Sequence, residues 1–283
     1  TLPLKDCLTN ILGQKPVQLT PLTGGCVADV YRADFENGDS FVVKVGVSGS
    51  GLELEGEMLK YLLTHSKLPV PEVFYAADDL LIMAYIEAGG SLTPAAQEQA
   101  ADFLASLHSV ETDCFGFEMD TVIGTLLQPN PWSKNWVEFF REQRLLYMAG
   151  EALESGNLPH VLLPQIENLA SDLGRWLSVP TQASLIHGDM WGGNILCKED
   201  HIVGFVDPAI YYGDPEIELA FSTLFHTFSE PFFNRYQETR PISPGFFEER
   251  RDIYNLYPLL VHVRLFGGSY VTNVEAILSK FGY

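Results

Sequence analysis

The sequence predicts an α+β protein of two lobes, a β-rich N-terminal lobe over residues 1–88 and a mainly helical C-terminal lobe over 89–283. Three observations carry that expectation. β-prone segments crowd the first third of the chain, apolar spacing near 3.6 residues dominates the remaining two thirds, and the glycine pair Gly89–Gly90 separates the two regimes. Strands first and helices later is the order of a segregated α+β architecture.

Residues 19–45 read as strands. "LTPLTGGCVADVYRAD" is β-prone on both sides of Gly24–Gly25, "FVVKV" is an apolar run interrupted by Lys44, and the turn-forming "ENGD" joins them as a hairpin. "LELEGEMLKYLLTHS" places Leu52, Leu59, Leu62 and Leu63 at helical positions, and Pro69 and Pro71 end that helix. "LPVPEVFYAADDLLIMAYIEAGG" then supplies two short strands. Three helical stretches lead to about residue 180, and after the loop "HGDMWGGN" come the short β-like segments "NILC" and "IVGFVD", with helices to the end.

Composition excludes several function classes. With 283 residues, 46% of them hydrophobic, the chain has enough apolar material for a large core. Its formal net charge is −20 and no block of basic residues stands out, which excludes binding nucleic acid by neutralising phosphates. Any phosphate must be held by a few local groups, backbone amides or a metal ion. No stretch approaches the ~20 apolar residues of a membrane span. The four cysteines lack CxxC spacing and a secretory leader ahead of them, so they are expected to be reduced thiols of a cytoplasmic protein. The histidines form no HExxH pair, which argues against a built-in zinc site. A monomer or weak dimer is expected.

The chemistry-bearing residues fall in the order that phosphoryl transfer from ATP needs: a cover for the phosphates, a cation on them, metal ligands and a carboxylate at the acceptor. Gly24 and Gly25 would let backbone approach phosphates, although a hairpin turn explains a Gly-Gly pair equally. Neither GxGxxG nor the Walker A pattern occurs. Lys44 is a charge inside an apolar strand, costly unless paired. Glu55, one turn into the following helix with Met58, Leu59 and Leu62 at +3, +4 and +7, is the expected partner, with Glu57 as its rival. "HGDMWGGN" and "FVDP" set Asp189, Asn194 and Asp207 at kinase-like spacing. Asp189 would accept the acceptor's proton, and Asn194 and Asp207 would coordinate Mg²⁺. Turn-forming Asp and Asn residues are the alternative for each alone. Gly188 stands where protein kinases carry the arginine that answers a phosphorylated loop, so the substrate is expected to be a small molecule.

With these residues in view, the chain resembles the fructosamine kinase family, relatives of aminoglycoside and choline kinases within the protein-kinase-like superfamily. The shared parts are "GGCVADVYR", Lys44, Glu55, "HGDMWGGN" and "VDP". The family-specific parts are "FGFEMDTVIGTLLQPNPWSKNWVEFFREQRL", "DPAIYYGDPEIELA" and "LYPLLVHVRLFGGSY". Met190, Gly192 and Pro215 depart from the usual pattern. The resemblance implies phosphorylation of the 3-hydroxyl of ketosamines, free or protein-bound, with ATP and Mg²⁺, and hence removal of glycation. It also implies Lys44 on the nucleotide phosphates, and adenine at the backbone of Ala84 and Ile86. Trp191 is then a platform for the sugar or a core anchor, and Glu216 a group facing the acceptor. Cys26 in the glycine loop is either a redox-sensitive position or a small packing residue. Other hydroxyl acceptors, such as aminoglycosides or amino alcohols, and a nucleotide-binding scaffold without turnover are the competing readings.

Overall fold

The computed structural model describes residues 2–22 and 28–283. Helix α1 (Leu2–Leu12) precedes strands β1 (Gln18–Pro21), β2 (Asp29–Asp34) and β3 (Ser40–Val45). Helix α2 (Leu52–His65) is next, then β4 (Val73–Ala77) and β5 (Leu80–Ala84). The five strands form one antiparallel sheet in the order β1-β2-β3-β5-β4. Period-two alternation sorts β5 between two helices. Leu80 and Ile82 join the cluster that includes Leu8 of α1, whereas Leu81 and Met83 join Met58, Leu59 and Leu62 of α2. Helix α1 goes beyond the sequence expectation, although Leu4, Leu8, Ile11 and Leu12 already carry helical spacing.

The second part opens with α3 (Pro94–His108), whose first turn is capped by Thr93 Oγ1 accepting the N–H of Ala96 at 3.2 Å. After it come β6 (Glu111–Thr112), β7 (Thr121–Ile123) and β8 (Leu126–Gln128). Helix α4 (Trp136–Phe140) continues through a π-helical turn over Arg141–Leu146 into α5 (Tyr147–Glu154), with α6 (Leu162–Ser171) beyond it. Then come β9 (Ala183–Ile186), β10 (Ile195–Lys198), β11 (His201–Phe205), β12 (Tyr211–Gly213), α7 (Pro215–Leu224), α8 (Glu230–Thr239), α9 (Arg251–Phe266) and α10 (Ser269–Phe281). Strands β6, β7 and β8 interrupt the mainly helical stretch expected up to about residue 180, and β12 corrects the expectation of helices alone after "IVGFVD". Each has two or three residues, too short for alternation to show in sequence.

Two small sheets position the loop at 187–194. Fully buried β9 is the middle strand of the order β12-β9-β6 and delivers the chain into His187, while the β10-β11 hairpin receives it at Ile195. Gly89 and Gly90 donate both N–H groups to the carbonyl of Cys197 at 2.9 Å. A side chain at Gly90 would lie 2.2 Å from the carbonyl oxygen of Glu199, so only glycine lets this segment close on the hairpin. Among the described residues no helix is long and apolar enough to cross a membrane.

Candidate active site

Lys44 sits on β3 in the middle of the first sheet, and its ammonium is 2.7 Å from Glu55 Oε1 on α2. The same Nζ also bonds Asp207 Oδ1, from the segment after β11. Burial works against the ammonium's charge, but the Glu55 and Asp207 carboxylates outweigh it and raise the pKa of Lys44 above its ordinary value. The expected partner is therefore the observed one. Its rival, Glu57, is exposed and bonds Lys60 at 2.7 Å.

The 187–194 loop is held from several sides. The Asn194 side-chain amide donates to the backbone oxygen and to Oδ2 of Asp189, both at 2.9 Å. His187 Nε2 donates to the Val206 carbonyl at 3.0 Å, leaving Nδ1 to accept the N–H of Asp189 at 3.3 Å. Burial pushes the Asp189 carboxyl up to about 7, the Asn194 hydrogen bond opposes that, and the charges of Asp207 and Glu218 add to it. Asp207 itself has φ +53°, a left-handed conformation uncommon for a residue with a side chain. That backbone turns its carboxylate toward Lys44.

Gly188 explains why no arginine comes after the histidine. Its φ is +86°, and a Cβ there would stand 2.0 Å from the carbonyl oxygen of Ala209, whose N–H donates to His187 O at 2.7 Å. Trp191 folds its ring across Gly193, where an added Cβ would lie 2.2 Å from the indole, and meets Phe225 edge-on at 6.0 Å. It remains 41% exposed, so it presents a face to solvent and is no core anchor.

Two oxygens here suit a hard divalent cation. Asn194 commits its amide nitrogen to Asp189, and its Oδ1 makes no hydrogen bond among the described residues. Asp207 is the other donor. No cluster of three or more His, Cys, Asp or Glu that could hold a metal occurs among the described residues. A cation at Asn194 and Asp207 would complete its shell with phosphate oxygens and water, a pattern that fits Mg²⁺.

At the end of β5, the N–H of Tyr85 bonds Ser40 O at 3.1 Å and that of Ala84 bonds Glu72 O at 2.8 Å. The alternation of an antiparallel ladder thus turns the backbone groups of Ala84 away from β3. Ile86 packs at Gly204 of β11, where a Cβ would be 2.6 Å from its Cδ1. Gly24, Gly25 and Cys26 lie outside the described residues.

Glu216 is not brought to this group. Its carboxylate takes Arg250 Nε and Nη2 at 2.6 and 2.8 Å. Two positions on a helix differ by about 200°, so Glu218 faces the opposite way, toward the loop. Its Oε1 accepts the N–H of Gly188 at 2.8 Å, and its Oε2 accepts that of His187 at 3.2 Å and bonds His108 Nε2 at 2.8 Å. Sequence reasoning did not single out Glu218, although an acid inside the apolar helix face of "EIELA" is a signal for a buried, partnered carboxylate. Gln128 is a second addition, donating to Ala209 O at 3.0 Å and to Thr121 Oγ1 at 2.9 Å while accepting from Tyr257 at 2.7 Å. Through Ala209, the "IGTLLQPN" segment braces the backbone beside Gly188.

A family model described as fructosamine kinase matches residues 4–281. A Vibrio parahaemolyticus protein named "Probable ketoamine kinase" is 33% identical over 267 residues, which span 92% of this chain and 90% of that protein. The Arabidopsis thaliana protein named protein-ribulosamine 3-kinase, chloroplastic, is 32% identical over 284 residues, spanning 94% of this chain and 84% of its own. A crystal structure from Haemophilus somnus 129PT, provisionally named a fructosamine-3-kinase, superposes with a TM-score of 0.87 at 26% identity, covering 99% of this chain and 97% of that one.

Proposed function

The chain belongs to the fructosamine kinase family, and from that membership we propose that it transfers the γ-phosphoryl group of ATP to the 3-hydroxyl of ketosamines, sugar adducts on free or protein-borne amines. The observation that carries the proposal is the convergence of Lys44, Glu55 and Asp207 with the Asp189–Asn194 pair at one place between the sheet and the helices. Residues 1–88 serve as the nucleotide-covering lobe and 89–283 as the acceptor lobe.

In this proposal Lys44, oriented by Glu55, pairs with the nucleotide phosphates, and the adenine edge meets the backbone of Ala84 and Ile86. Asp189 takes the proton of the acceptor hydroxyl as its oxygen forms the new bond to phosphorus, and ADP leaves. Asn194 keeps one Asp189 oxygen occupied, which leaves the other for that proton. The exposed face of Trp191 supports the sugar. Magnesium, held by Asn194 and Asp207, would offset phosphate charge. A phosphate at C3 leaves once the ketosamine enolises toward C1, and hydrolysis of the resulting imine frees the amine.

Transfer of ³²P from γ-labelled ATP to ribulosyl-lysine and fructosyl-lysine tests the reading, with Asp189→Asn as control. Labelling that this substitution abolishes supports it. Label on an aminoglycoside or amino alcohol, with none on either ketosamine, would replace it.

A further inference from the structure

A cavity of about 480 Å³ lies at the end of β9 opposite the catalytic loop, within the ~300–1,000 Å³ usual for small-molecule sites. Ser184, the second residue of β9, pairs on one side with Glu111 of β6 and on the other with Gly213 of β12. Around them the walls are formed by Glu216, Tyr236, Arg240 and Arg250. None of Asp189, Trp191, Asn194 and Asp207 lines it.

The two arginines are employed differently. Arg250 is satisfied, with its two bonds to Glu216 and further bonds to the carbonyls of Pro244 and Ser243 at 2.9 and 3.0 Å. Arg240 is held loosely. Its contacts to Glu111 Oε1 are 3.4 and 3.3 Å, to Ser109 Oγ 3.4 Å and to Ser184 Oγ 3.5 Å. All exceed the ~3.2 Å limit of a well-formed N–H···O bond. Ser184, only 1% exposed, donates its hydroxyl to no acceptor among the described residues. The cavity therefore holds a guanidinium fork and a hydroxyl donor side by side, with the Glu111 carboxylate adjacent and open to hydroxyl donors.

The wall is also connected to the loop. Tyr236 bonds His108 Nδ1 at 2.7 Å, His108 Nε2 bonds Glu218 at 2.8 Å, and Glu218 takes the N–H groups of His187 and Gly188. Tyr236, His108 and Glu218 are each at most 2% exposed, so the connection runs through buried, mutually satisfied groups.

We propose that this cavity is an effector site for a small polyhydroxylated oxyanion, a sugar acid or a sugar phosphate. The anion sits on Arg240 and Ser184, the hydroxyls face Glu111, and occupancy is relayed to the loop through Tyr236. Only the relay rests on the kinase reading, because binding is measured without turnover.

The experiment is calorimetric titration of the full chain carrying Asp189→Asn with gluconate and, separately, glucose 6-phosphate. One site with a Kd below about 1 mM for at least one probe is expected, and the probe that binds identifies the anion. Arg240→Gln should weaken it by about tenfold or more, as expected for loss of a charge-assisted bond. Ser184→Ala, a smaller change, should weaken it while keeping the parent melting temperature. Absence of heat with both probes up to about 10 mM, or affinity unchanged by both substitutions, overturns the site. With Asp189 intact, the bound probe should change kcat, and Tyr236→Phe should keep binding and lose that response. An unchanged kcat at saturation overturns the relay, whatever the calorimetry gives.

Discussion

The phenolic oxygens of Tyr61 and Tyr212 lie 3.0 Å apart, joining α2 of the N-terminal lobe to β12 of the C-terminal one. Tyr61 also packs edge-on against Phe117 at 4.7 Å. Glu55 rides on the same helix, so this contact holds the helix where Glu55 reaches Lys44. Replacing either tyrosine by phenylalanine removes one hydrogen bond worth about 1 kcal/mol, a roughly fivefold loss in kcat/KM for ATP. Because both hydroxyls serve one bond, the double variant should be no worse than either single one. Additive losses in steady-state kinetics would show that the two hydroxyls act separately.

Gly188→Ala tests the backbone beside Asp189. The substitution meets both a left-handed φ of +86° and the Ala209 oxygen 2.0 Å from the new Cβ. A destabilisation of about 3 kcal/mol is expected from strain and overpacking together, read by urea unfolding. A variant as stable as the parent would mean that the loop relaxes freely.

Glu218 links loop geometry to acid stability. Burial acts to raise its pKa, but the hydrogen bond and attraction of His108, together with the Gly188 N–H, outweigh burial and leave it below the ordinary carboxylate value. A depressed folded-state pKa stabilises the fold above the unfolded value of 4.5 and loses that contribution as pH falls through the folded value. Glu218→Gln has one carbonyl oxygen for two backbone N–H groups, so it should cost about 2 kcal/mol at neutral pH. Denaturant titrations should show the deficit shrinking on acidification. A deficit that grows below the unfolded value would reverse the sign.

As the proposed base, Asp189 should set the acid limb of turnover. With its carboxyl pushed up to about 7 by burial, a base that must be ionised is progressively lost as pH falls. A cation held at Asp207, as proposed, would relieve part of the push. The limb of kcat/KM should therefore fall between the ordinary 3.8 and about 7, and move down as magnesium is raised. An acid limb below the ordinary 3.8, or none at all, would remove Asp189 as the base.

How much of this was legible in the sequence differs by the range of the interaction. Asp189 and Asn194 were readable because five residues of one loop set their geometry, and Lys44 because a cation in an apolar strand demands a partner. Glu216 and Glu218 were not separable, since only the packing of α7 against β9 decides which helix face meets the loop. Gln128 could be quoted within a segment but not given a role. Its contact to Ala209 spans 81 residues and depends on strands too short to show a period. Helix α1 is legible in the spacing of Leu4, Leu8, Ile11 and Leu12, the face that brings Leu8 into the core.

The central claim is where the phosphate goes. Proton-coupled ³¹P NMR of the product formed from ¹³C-labelled ribulosyl-lysine and ATP should show phosphorus coupled to the proton on C3, with no such product from Asp189→Asn. Phosphorus on another carbon, or unchanged product formation by Asp189→Asn, would contradict the assignment of Asp189 as base of a ketosamine 3-kinase.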